Sequence, residues 1–302
     1  MSTRLRQIAR DTVTAVERGG YTAPSGRWVP LADEIAQAVA GTRLHLPDEP
    51  LQRHRGQPAQ DRVEVVGIVG ETTLKAEQDR VEVVNETILK AERGRVEVVN
   101  ETTLEAARAL SGGGEVACLV FASAKNPGGG FLNGAQAQEE SVARASALYP
   151  CLTSVPAFYA FHRAQKDLLY SDRVVYSPRV PVFRDDKGRL LEEPYQVDFL
   201  TAAAPNARFV ALNQPESAGL LPSVLRERAG RVLDVAEAHG HRRLVLGAWG
   251  CGVFGNDPAT VADAFACALA VRDRFEYVRF AVLDRAPGTP THAAFARALT
   301  GI

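Results

Sequence analysis

The chain has 302 residues, of which 46% are hydrophobic and 24% charged, a composition typical of a globular protein with enough material for a substantial core. Its formal net charge of −1 excludes a strong overall field that would attract nucleic acid or an anionic membrane, so a polyanionic ligand would have to be held by local groups such as backbone amides. No stretch reaches the roughly 18 consecutive apolar residues of a membrane span, and the N-terminus lacks the apolar core of a signal peptide, so we expect a cytoplasmic protein.

The cysteines and histidines do not form a pattern typical of a metal centre. Cys118, Cys151, Cys251 and Cys267 form no CxxC pair, and no histidine lies near them at ligand spacing. We therefore predict reduced thiols, no bound metal and no cofactor. Cys251 lies inside a glycine-rich loop, but a nucleophilic thiol would need a base partner, and none is close in the sequence.

Residues 1–60 predict a helical extension followed by a linker. Apolar residues at helical spacing predict a helix over 3–18, which a pair of glycines ends, and a second short helix over 31–39. Residues 45–60 contain three prolines and almost no large apolar side chain, which is typical of a loop.

An internal repeat follows this extension. The motif RVEVV occurs at 62–66, 80–84 and 95–99, each time followed by a segment similar to ETTL, so each unit predicts a short strand, a polar turn and a short helix. Such units are shorter than the roughly 20 residues of most solenoid repeats. We therefore predict that the third copy is a strand of the domain's sheet and that 61–94 is a repeat expansion, either a flexible insertion or extra edge strands.

Residues 95–302 alternate strands and helices. The continuous apolar run at 116–122 is expected of a strand that is buried on both faces. Further strands are predicted at 173–176, 180–184, 196–200, 243–249 and 277–283, with a turn at 185–188, and helices at 136–148, 224–239, 258–271 (with Asp257 as its N-cap) and 290–299. This alternation predicts an α/β fold with a mostly parallel or mixed sheet, whose ligands bind at the carboxyl ends of strands. That rule indicates the segments 123–140 and 249–256.

The segment 124–140, AKNPGGGFLNGAQAQEE, carries the most chemical information. Its three consecutive glycines, shortly after Asn126, permit backbone conformations denied to other residues and a close approach to a ligand. Because the loop leaves a buried strand and enters a helix, its amides could surround phosphate or sugar oxygens. Gln138, Glu139 and Glu140 then fall in the first helical turn. The alternative interpretation is structural: a glycine turn followed by acidic residues that favour a helix N-terminus.

A second glycine-rich loop, GAWGCGVFGND at 247–257, also follows a predicted strand and precedes a helix. Gly250, Gly252 and Gly255 permit tight turns, and Phe254 would be an exposed aromatic able to cover a ribose or a base. The alternative is a packing loop with a buried Phe254. One glycine turn is a weak signal, whereas two that follow separate strands of one sheet favour a phosphate-binding site.

These motifs resemble those of a known family. NPGGG followed by QEE at 138–140 resembles the signature of poly(ADP-ribose) glycohydrolases, and GCGVFGN resembles the pyrophosphate loop of the macrodomain fold on which those enzymes are built. RVEVVNETTLEAA at 95–107 and GGYTAPSGRWVPL near the N-terminus are similar to segments of the bacterial-type members. The resemblance covers most of the chain from about residue 95 to 300, and it implies a three-layer α/β/α macrodomain-like fold with a mixed central sheet and an N-terminal helical extension.

The resemblance also implies a reaction and the residues that carry it. It implies hydrolysis of the O-glycosidic bond between the ribose units of poly(ADP-ribose), with Glu140 as the catalytic acid and Glu139 holding ribose hydroxyls. The other substrate-binding residues that it implies are Asn126, Gly128, Gly129, Gly130, Gln138, Gly252, Val253, Phe254, Gly255 and, at the adenine, Glu101. The expected partners are ADP-ribose and its polymer, including polymer on modified proteins; we expect no direct nucleic-acid or membrane partner, and a monomer.

The chemistry agrees with these assignments. A ribose 2′-oxygen is a poor leaving group unless it is protonated, and the transition state of such a reaction resembles an oxocarbenium ion. Successive helical residues point about 100° apart, so Glu139 and Glu140 cannot flank one bond as an acid–nucleophile pair. One carboxyl group therefore donates the proton and then recovers it from the attacking water.

Three alternative functions stay open at this point. An ADP-ribose-binding reader would use the loop at 252–255 but would have no use for an acid at Glu140. A second alternative, still an enzyme, removes single ADP-ribose units from proteins or nucleic acid, although the pairing of GGG with QEE favours the polymer. An interaction protein would use 62–107 as its working surface, and deletion of 62–94 would test that idea.

Overall fold

A mixed seven-stranded sheet forms the centre of the protein. The computed structural model describes residues 2–51 and 94–300. The strands are β1 (Gly20–Thr22), β2 (Trp28–Pro30), β3 (Arg43–His45), β4 (Arg95–Val99), β5 (Ala117–Phe121), β6 (Val174–Arg184), β7 (Leu190–Ala202), β8 (Arg243–Gly247) and β9 (Tyr277–Ala281). The helices are α1 (Thr3–Glu17), α2 (Ala32–Gly41), α3 (Thr103–Ser111), α4 (Gln138–Ala145), α5 (Leu148–Thr153), α6 (Pro156–Ala164), α7 (Ala207–Asn213), α8 (Leu221–Ala238), α9 (Pro258–Ala270) and α10 (Pro290–Ala298), with 3-10 turns at Phe131–Asn133 and Pro215–Leu220.

The order of the strands in the sheet is β3-β6-β7-β5-β8-β9-β4. β3 pairs with β6, and β6 with β7, in antiparallel fashion, whereas β7, β5, β8, β9 and β4 run parallel to one another. β1 and β2 form a separate hairpin. The carboxyl ends of the parallel strands therefore meet at one edge of the sheet, which is where ligands of α/β folds bind.

Helices cover both faces of the sheet and enclose two hydrophobic cores. Along β5, Cys118 and Val120 face the core that α2 to α6 cover, while Ala117 and Leu119 face the core that α8, α9 and α10 cover. This alternation is what a strand buried on both faces requires. The predicted three-layer α/β/α fold is confirmed. Within residues 2–51 and 94–300, no helix combines the length and the hydropathy that crossing a bilayer would require.

The third copy of the repeat is a strand of the central sheet, as predicted. It forms β4, which pairs with β9 from Arg95 opposite Tyr277 to Val99 opposite Ala281. The first two copies lie outside the described residues. The predicted N-terminal extension also contributes to the sheet, because β3 is its edge strand beside β6. The division of the chain into 1–60, 61–94 and 95–302 stays a prediction.

Two predicted elements were wrong in detail. The helix predicted over 136–148 is broken into α4 and α5, because Ser146 adopts an extended conformation and bridges to Val182 of β6. Pro150 lies in the first turn of α5 instead of ending a helix, a position where proline costs no hydrogen bond. The strands predicted at 173–176 and 180–184 are one strand, β6, with a register shift between Ser177 and Val180.

A buried carboxylate supports this irregular part of β6. Asp198 on β7 accepts hydrogen bonds from the Tyr176 hydroxyl at 2.5 Å and from the Arg179 amide at 2.7 Å. Nε2 of His241 lies 3.1 Å from the same carboxylate. Arg179 is a non-glycine residue with a φ of 49°, so the Asp198 bond holds a strained backbone. Burial alone would raise the pKa of Asp198, but the bonds from His241, Tyr176 and Arg179 outweigh it and lower that pKa below its ordinary value.

We predict that Asp198→Asn lowers the free energy of unfolding at pH 7 by about 1.5–3 kcal/mol, the usual contribution of hydrogen bonds to a charged group. Because the pKa of Asp198 in the folded state lies below the unfolded value of about 3.9, this stabilisation is complete above that pH and is lost as the pH falls through the folded pKa. Urea unfolding of both proteins at several pH values measures it. A difference that stays constant from pH 7 to below pH 4 would contradict the assignment.

Candidate active site

A cleft of about 1150 Å³ opens at the carboxyl edge of the parallel strands. Its walls are the loops that follow β5 and β8, the start of α4 and the segment after β4. All the site residues predicted from the sequence line this cleft except Gly128 and Gly255, which lie in the same two loops. No cluster of three or more His, Cys, Asp or Glu residues suited to a metal ion occurs in the part of the chain that the structure describes.

The Glu140 carboxyl group is held by the glycine loop. Its Oε1 accepts a hydrogen bond from the Gly130 amide at 2.9 Å. Its Oε2 has no hydrogen-bonding partner within the described residues, and the side chain lines the cleft. Gly129 has a φ of 59°, and a Cβ atom there would collide with Glu140 Oε1 and lie 3.0 Å from Glu139 Oε2. Only glycine therefore lets the loop approach this carboxyl group so closely.

Glu139 is buried beside it, with 2% of its surface exposed. Its Oε2 accepts a hydrogen bond from the Ser123 amide at 2.6 Å, just beyond β5. Its Oε1 is buried and has no partner among residues 2–51 and 94–300. Burial raises the pKa of Glu139 well above its ordinary value, the charge of Glu140 adds to this effect, and the bond from the Ser123 amide and the nearby Gly128 amide oppose it. An unpaired buried oxygen of this kind is suited to accept a hydrogen bond from a ligand hydroxyl.

Gln138 fixes α4 to the central sheet. Its Oε1 accepts from the Phe121 amide at 2.9 Å, and its Nε2 donates to the Leu119 carbonyl at 2.8 Å and to Thr103 Oγ1 at 3.1 Å. The sequence predicted a substrate-binding role for this residue. It lines the cleft, but both hydrogens of its amide are directed at protein partners.

The loop after β8 presents unpaired backbone amides. The amides of Gly252, Val253 and Phe254 donate to no acceptor in the described parts of the chain. Asn256 holds the loop in shape, because its Nδ2 donates to the Pro205 carbonyl at 2.8 Å and to the Gly250 carbonyl at 3.2 Å. Successive free amides in a tight turn form a site for an anionic oxygen.

Phe254 is half-buried at the rim of this loop. Its ring centroid lies 6.1 Å from that of Tyr170, a non-glycine residue with a φ of 62°. Its carbonyl accepts a hydrogen bond from the Arg208 amide at 2.9 Å. Phe254 therefore lines the cleft as a half-buried side chain, intermediate between the exposed and the buried one that the sequence left open.

Glu101 follows β4 and also lines the cleft. Its Oε1 lies 2.7 Å from Nε of Arg279, which is paired with Glu97 as well. Burial raises the pKa of Glu101, and the Arg279 charge opposes that shift.

The sequence analysis missed the contribution of α1 to the cleft. Leu5 and Ile8 line its wall. A Cβ atom on Gly134, in the loop between the three glycines and α4, would lie 2.6 Å from the Ser2 carbonyl oxygen. The helix that begins the chain is therefore part of the site. Amphipathic spacing shows that one face of a helix is buried, but it does not show against what.

Comparisons with known proteins agree on one family. The model of the microbial-type PARG catalytic domain matches residues 9–185. The structure of poly(ADP-ribose) glycohydrolase (PARG) from Thermomonospora curvata is 52% identical, with a TM-score of 0.81 over 98% of this chain and 100% of that chain. The Deinococcus radiodurans enzyme in complex with ADP-ribose is 44% identical, with a TM-score of 0.73 over 91% of this chain and 100% of that chain. The search of curated proteins gave no match.

We predict that Gly129→Ala lowers the free energy of unfolding by about 2–4 kcal/mol, because the new methyl group is forced into the Glu140 carboxyl group at a φ that L residues rarely adopt. Gly219→Ala is the matched control: a Cβ atom at Gly219 meets nothing within 4 Å, so a change of less than about 1 kcal/mol is expected. Urea unfolding at pH 7 measures both. Equal effects of the two substitutions would show that the crowding at Gly129 does not exist.

Proposed function

This chain belongs to the microbial-type poly(ADP-ribose) glycohydrolase family and hydrolyses the ribose–ribose bonds of poly(ADP-ribose), and on that premise we propose which of its residues carry the reaction. The proposal divides the cleft into a proton donor, a group that holds the ribose and a cradle for the diphosphate.

Glu140 is the general acid and base. The observation that carries this assignment is that Oε1 is held by the Gly130 amide, while Oε2 is left without a protein partner in the cleft. In the first step Oε2 donates its proton to the 2′-oxygen of the departing ribose as the bond from that oxygen to the anomeric carbon breaks. Water then attacks the oxocarbenium-like carbon and returns a proton to Glu140. Cleavage of the terminal ribose–ribose bond in this way releases free ADP-ribose.

Glu139 and Asn126 hold the ribose next to that bond. Glu139 offers a buried, unpartnered Oε1, which a ribose hydroxyl would satisfy. Asn126 is exposed beside the glycine loop, and its carbonyl accepts the Gly129 amide at 3.0 Å. We propose that Gln138 positions Glu139 and Glu140, because its bonds to Phe121 and Leu119 fix the first turn of α4 to the end of β5.

The free amides of Gly252, Val253 and Phe254 bind the diphosphate. They supply hydrogen-bond donors without a positively charged side chain, which agrees with the chain's formal net charge of −1. The Phe254 ring covers the adjoining ribose. At the other end of the nucleotide, Glu101 Oε2 would accept the adenine amino group while Oε1 stays with Arg279.

The setting that we propose is the cytoplasm, with polymer on modified proteins as a substrate. The four cysteines support it, because all are free thiols and two of them, Cys118 and Cys151, are buried. Reduced cysteines are the rule in that compartment.

We predict that Glu140→Gln lowers kcat on poly(ADP-ribose) by about 10²–10⁴-fold, because glutamine cannot donate the acid proton. The Kd for ADP-ribose should change by less than about threefold, since the glutamine oxygen can still accept the Gly130 amide. Chromatography of released ADP-ribose gives the rate and titration calorimetry gives the Kd.

Glu139→Gln is the comparison for that experiment. It should weaken ADP-ribose binding as well as turnover, because it alters a group that contacts the ribose. Turnover by Glu140→Gln at the wild-type rate would remove Glu140 from the mechanism and leave the family assignment standing.

We predict that Val253→Pro weakens ADP-ribose binding by about tenfold or more, because proline removes one amide donor from the diphosphate cradle. Val253→Ala keeps the amide, so its effect on the Kd should be several times smaller. Val253 has 69% of its surface exposed, so neither substitution disturbs the core. If both variants bind ADP-ribose equally well, the amides of this loop do not hold the diphosphate.

A further inference from the structure

Arg144 is a buried cation with no acidic partner. It lies on α4, one helical turn after Glu140, and only 6% of its surface is exposed. Among the described residues, no carboxylate lies within 4.0 Å of its guanidinium group. Arg228, which is 2% exposed, is paired with Asp172 at 2.7 Å, whereas Arg184, which is 7% exposed, binds only a hydroxyl and a carbonyl group, as Arg144 does. An unpaired buried charge is costly, so the hydrogen bonds that Arg144 makes must offset that cost.

The hydrogen bonds of Arg144 lead to the carboxyl group of Glu140 through the glycine loop. Its Nη1 donates to the Ala135 carbonyl at 2.6 Å, and its Nη2 donates to Ser141 Oγ at 3.3 Å. The Ala135 amide donates to the Gly130 carbonyl at 3.1 Å. The Gly130 amide in turn donates to Glu140 Oε1 at 2.9 Å. Three successive hydrogen bonds therefore join the guanidinium group to the proposed acid.

The loop between Gly130 and Ala135 is closed tightly enough to transmit this restraint. A Cβ atom on Gly130 would lie 2.9 Å from the Cβ of Ala135. A shift of Ala135 away from Arg144 would therefore move Gly130, and with it the amide that holds Glu140 Oε1. Closely packed groups transmit small displacements in this way.

The guanidinium group of Arg144 also interacts electrostatically with the carboxyl group of Glu140. Burial lowers the pKa of Arg144, and the nearby negative charge of Glu140 opposes that shift. A direct ion pair would occupy the carboxyl group of Glu140. Nη1 and Nη2 donate to Ala135 and Ser141 instead, so Glu140 Oε2 stays available to substrate.

We propose that Arg144 is a positioning residue for this glycohydrolase, which fixes Glu140 Oε1 by restraining the turn from Gly130 to Ala135. This inference rests on the proposed role of Glu140. The proposed role of Arg144 affects turnover and not substrate binding, because the proposed ribose and diphosphate contacts belong to other residues. A displacement of about 1 Å in a catalytic group can lower a rate by about 100-fold.

The test compares wild-type protein, Arg144→Gln, Arg144→Lys and Arg272→Gln. We expect Arg144→Gln to lower kcat on poly(ADP-ribose) by about 10- to 100-fold while the Kd for ADP-ribose changes by less than about threefold. Arg144→Lys keeps the charge and one donor to the Ala135 carbonyl, so its kcat should fall by only about three- to tenfold. Arg272→Gln is the matched control, because Arg272 is another mostly buried arginine, bound to the Gly230 carbonyl and paired with Asp234, and it does not line the cleft. It should lower the melting temperature without a selective loss of kcat.

The inference is overturned if Arg144→Gln keeps kcat within about twofold of wild type, or if its kcat and ADP-ribose affinity fall together as those of a partly unfolded protein do. Should Arg144→Gln fail to fold, the lysine variant decides, and an unchanged kcat there is equally contradictory. Glu140→Gln in the same assay separates the two claims. If Glu140→Gln is inactive and the Arg144 variants are normal, only the role of Arg144 fails; if Glu140→Gln is active, the proposed acid itself is wrong.

Discussion

The hydrogen bond from the Gly130 amide to Glu140 Oε1 is the contact on which the rest of the site depends. It requires the backbone of the glycine loop to lie against a carboxyl group in the first turn of α4, and the absence of a side chain at Gly129 is what makes room. A carboxyl group that accepts a hydrogen bond from an amide at one oxygen has a fixed orientation, so the position of its second oxygen is fixed as well. For a proton donor, this fixed orientation matters more than the affinity for substrate, because transfer of a proton in the transition state requires a short and aligned approach.

The central sheet supplies the framework for that contact. Amides at the end of β5 and just beyond it hold the QEE motif: the Phe121 amide donates to Gln138, and the Ser123 amide donates to Glu139. Two of the three residues of the QEE motif are thus fastened to the carboxyl end of one buried strand. The third, Glu140, reaches back to the glycine loop, whose chain began at the same strand. The carboxyl end of β5 therefore positions both the glycine loop and α4. The neighbouring strand β8 brings the free amides of the second loop to the same edge of the sheet.

The sequence predicted those parts of the molecule that local pattern determines. The apolar run of β5, the third RVEVV copy as β4 and the N-cap Asp257 follow from periodicity and side-chain chemistry, and each lies where it was expected. The break between α4 and α5 did not follow, because it depends on Ser146 bridging to a strand that lies far along the chain. The same holds for the wall that Leu5 and Ile8 of α1 form, and for the cluster around Asp198. In each case the deciding partner is remote in sequence, and one sequence carries no record of that pairing.

The recognition of a polyanion by a protein of nearly neutral charge also has a physical explanation here. The loop GAWGCGVFGND contains no lysine or arginine, and its donors are backbone amides that the turn leaves unpaired. Amides act over hydrogen-bonding distance only, whereas a field of basic side chains would act over a Debye length of about 8 Å and along the whole polymer. On the proposed assignment, binding through amides selects a diphosphate that has already entered the cleft, beside the ribose that Glu139 and Glu140 would contact. Arg144 on α4 is used differently: its guanidinium group donates to the Ala135 carbonyl, so this cation restrains the glycine loop, while the proposed contacts to the diphosphate come from the amides.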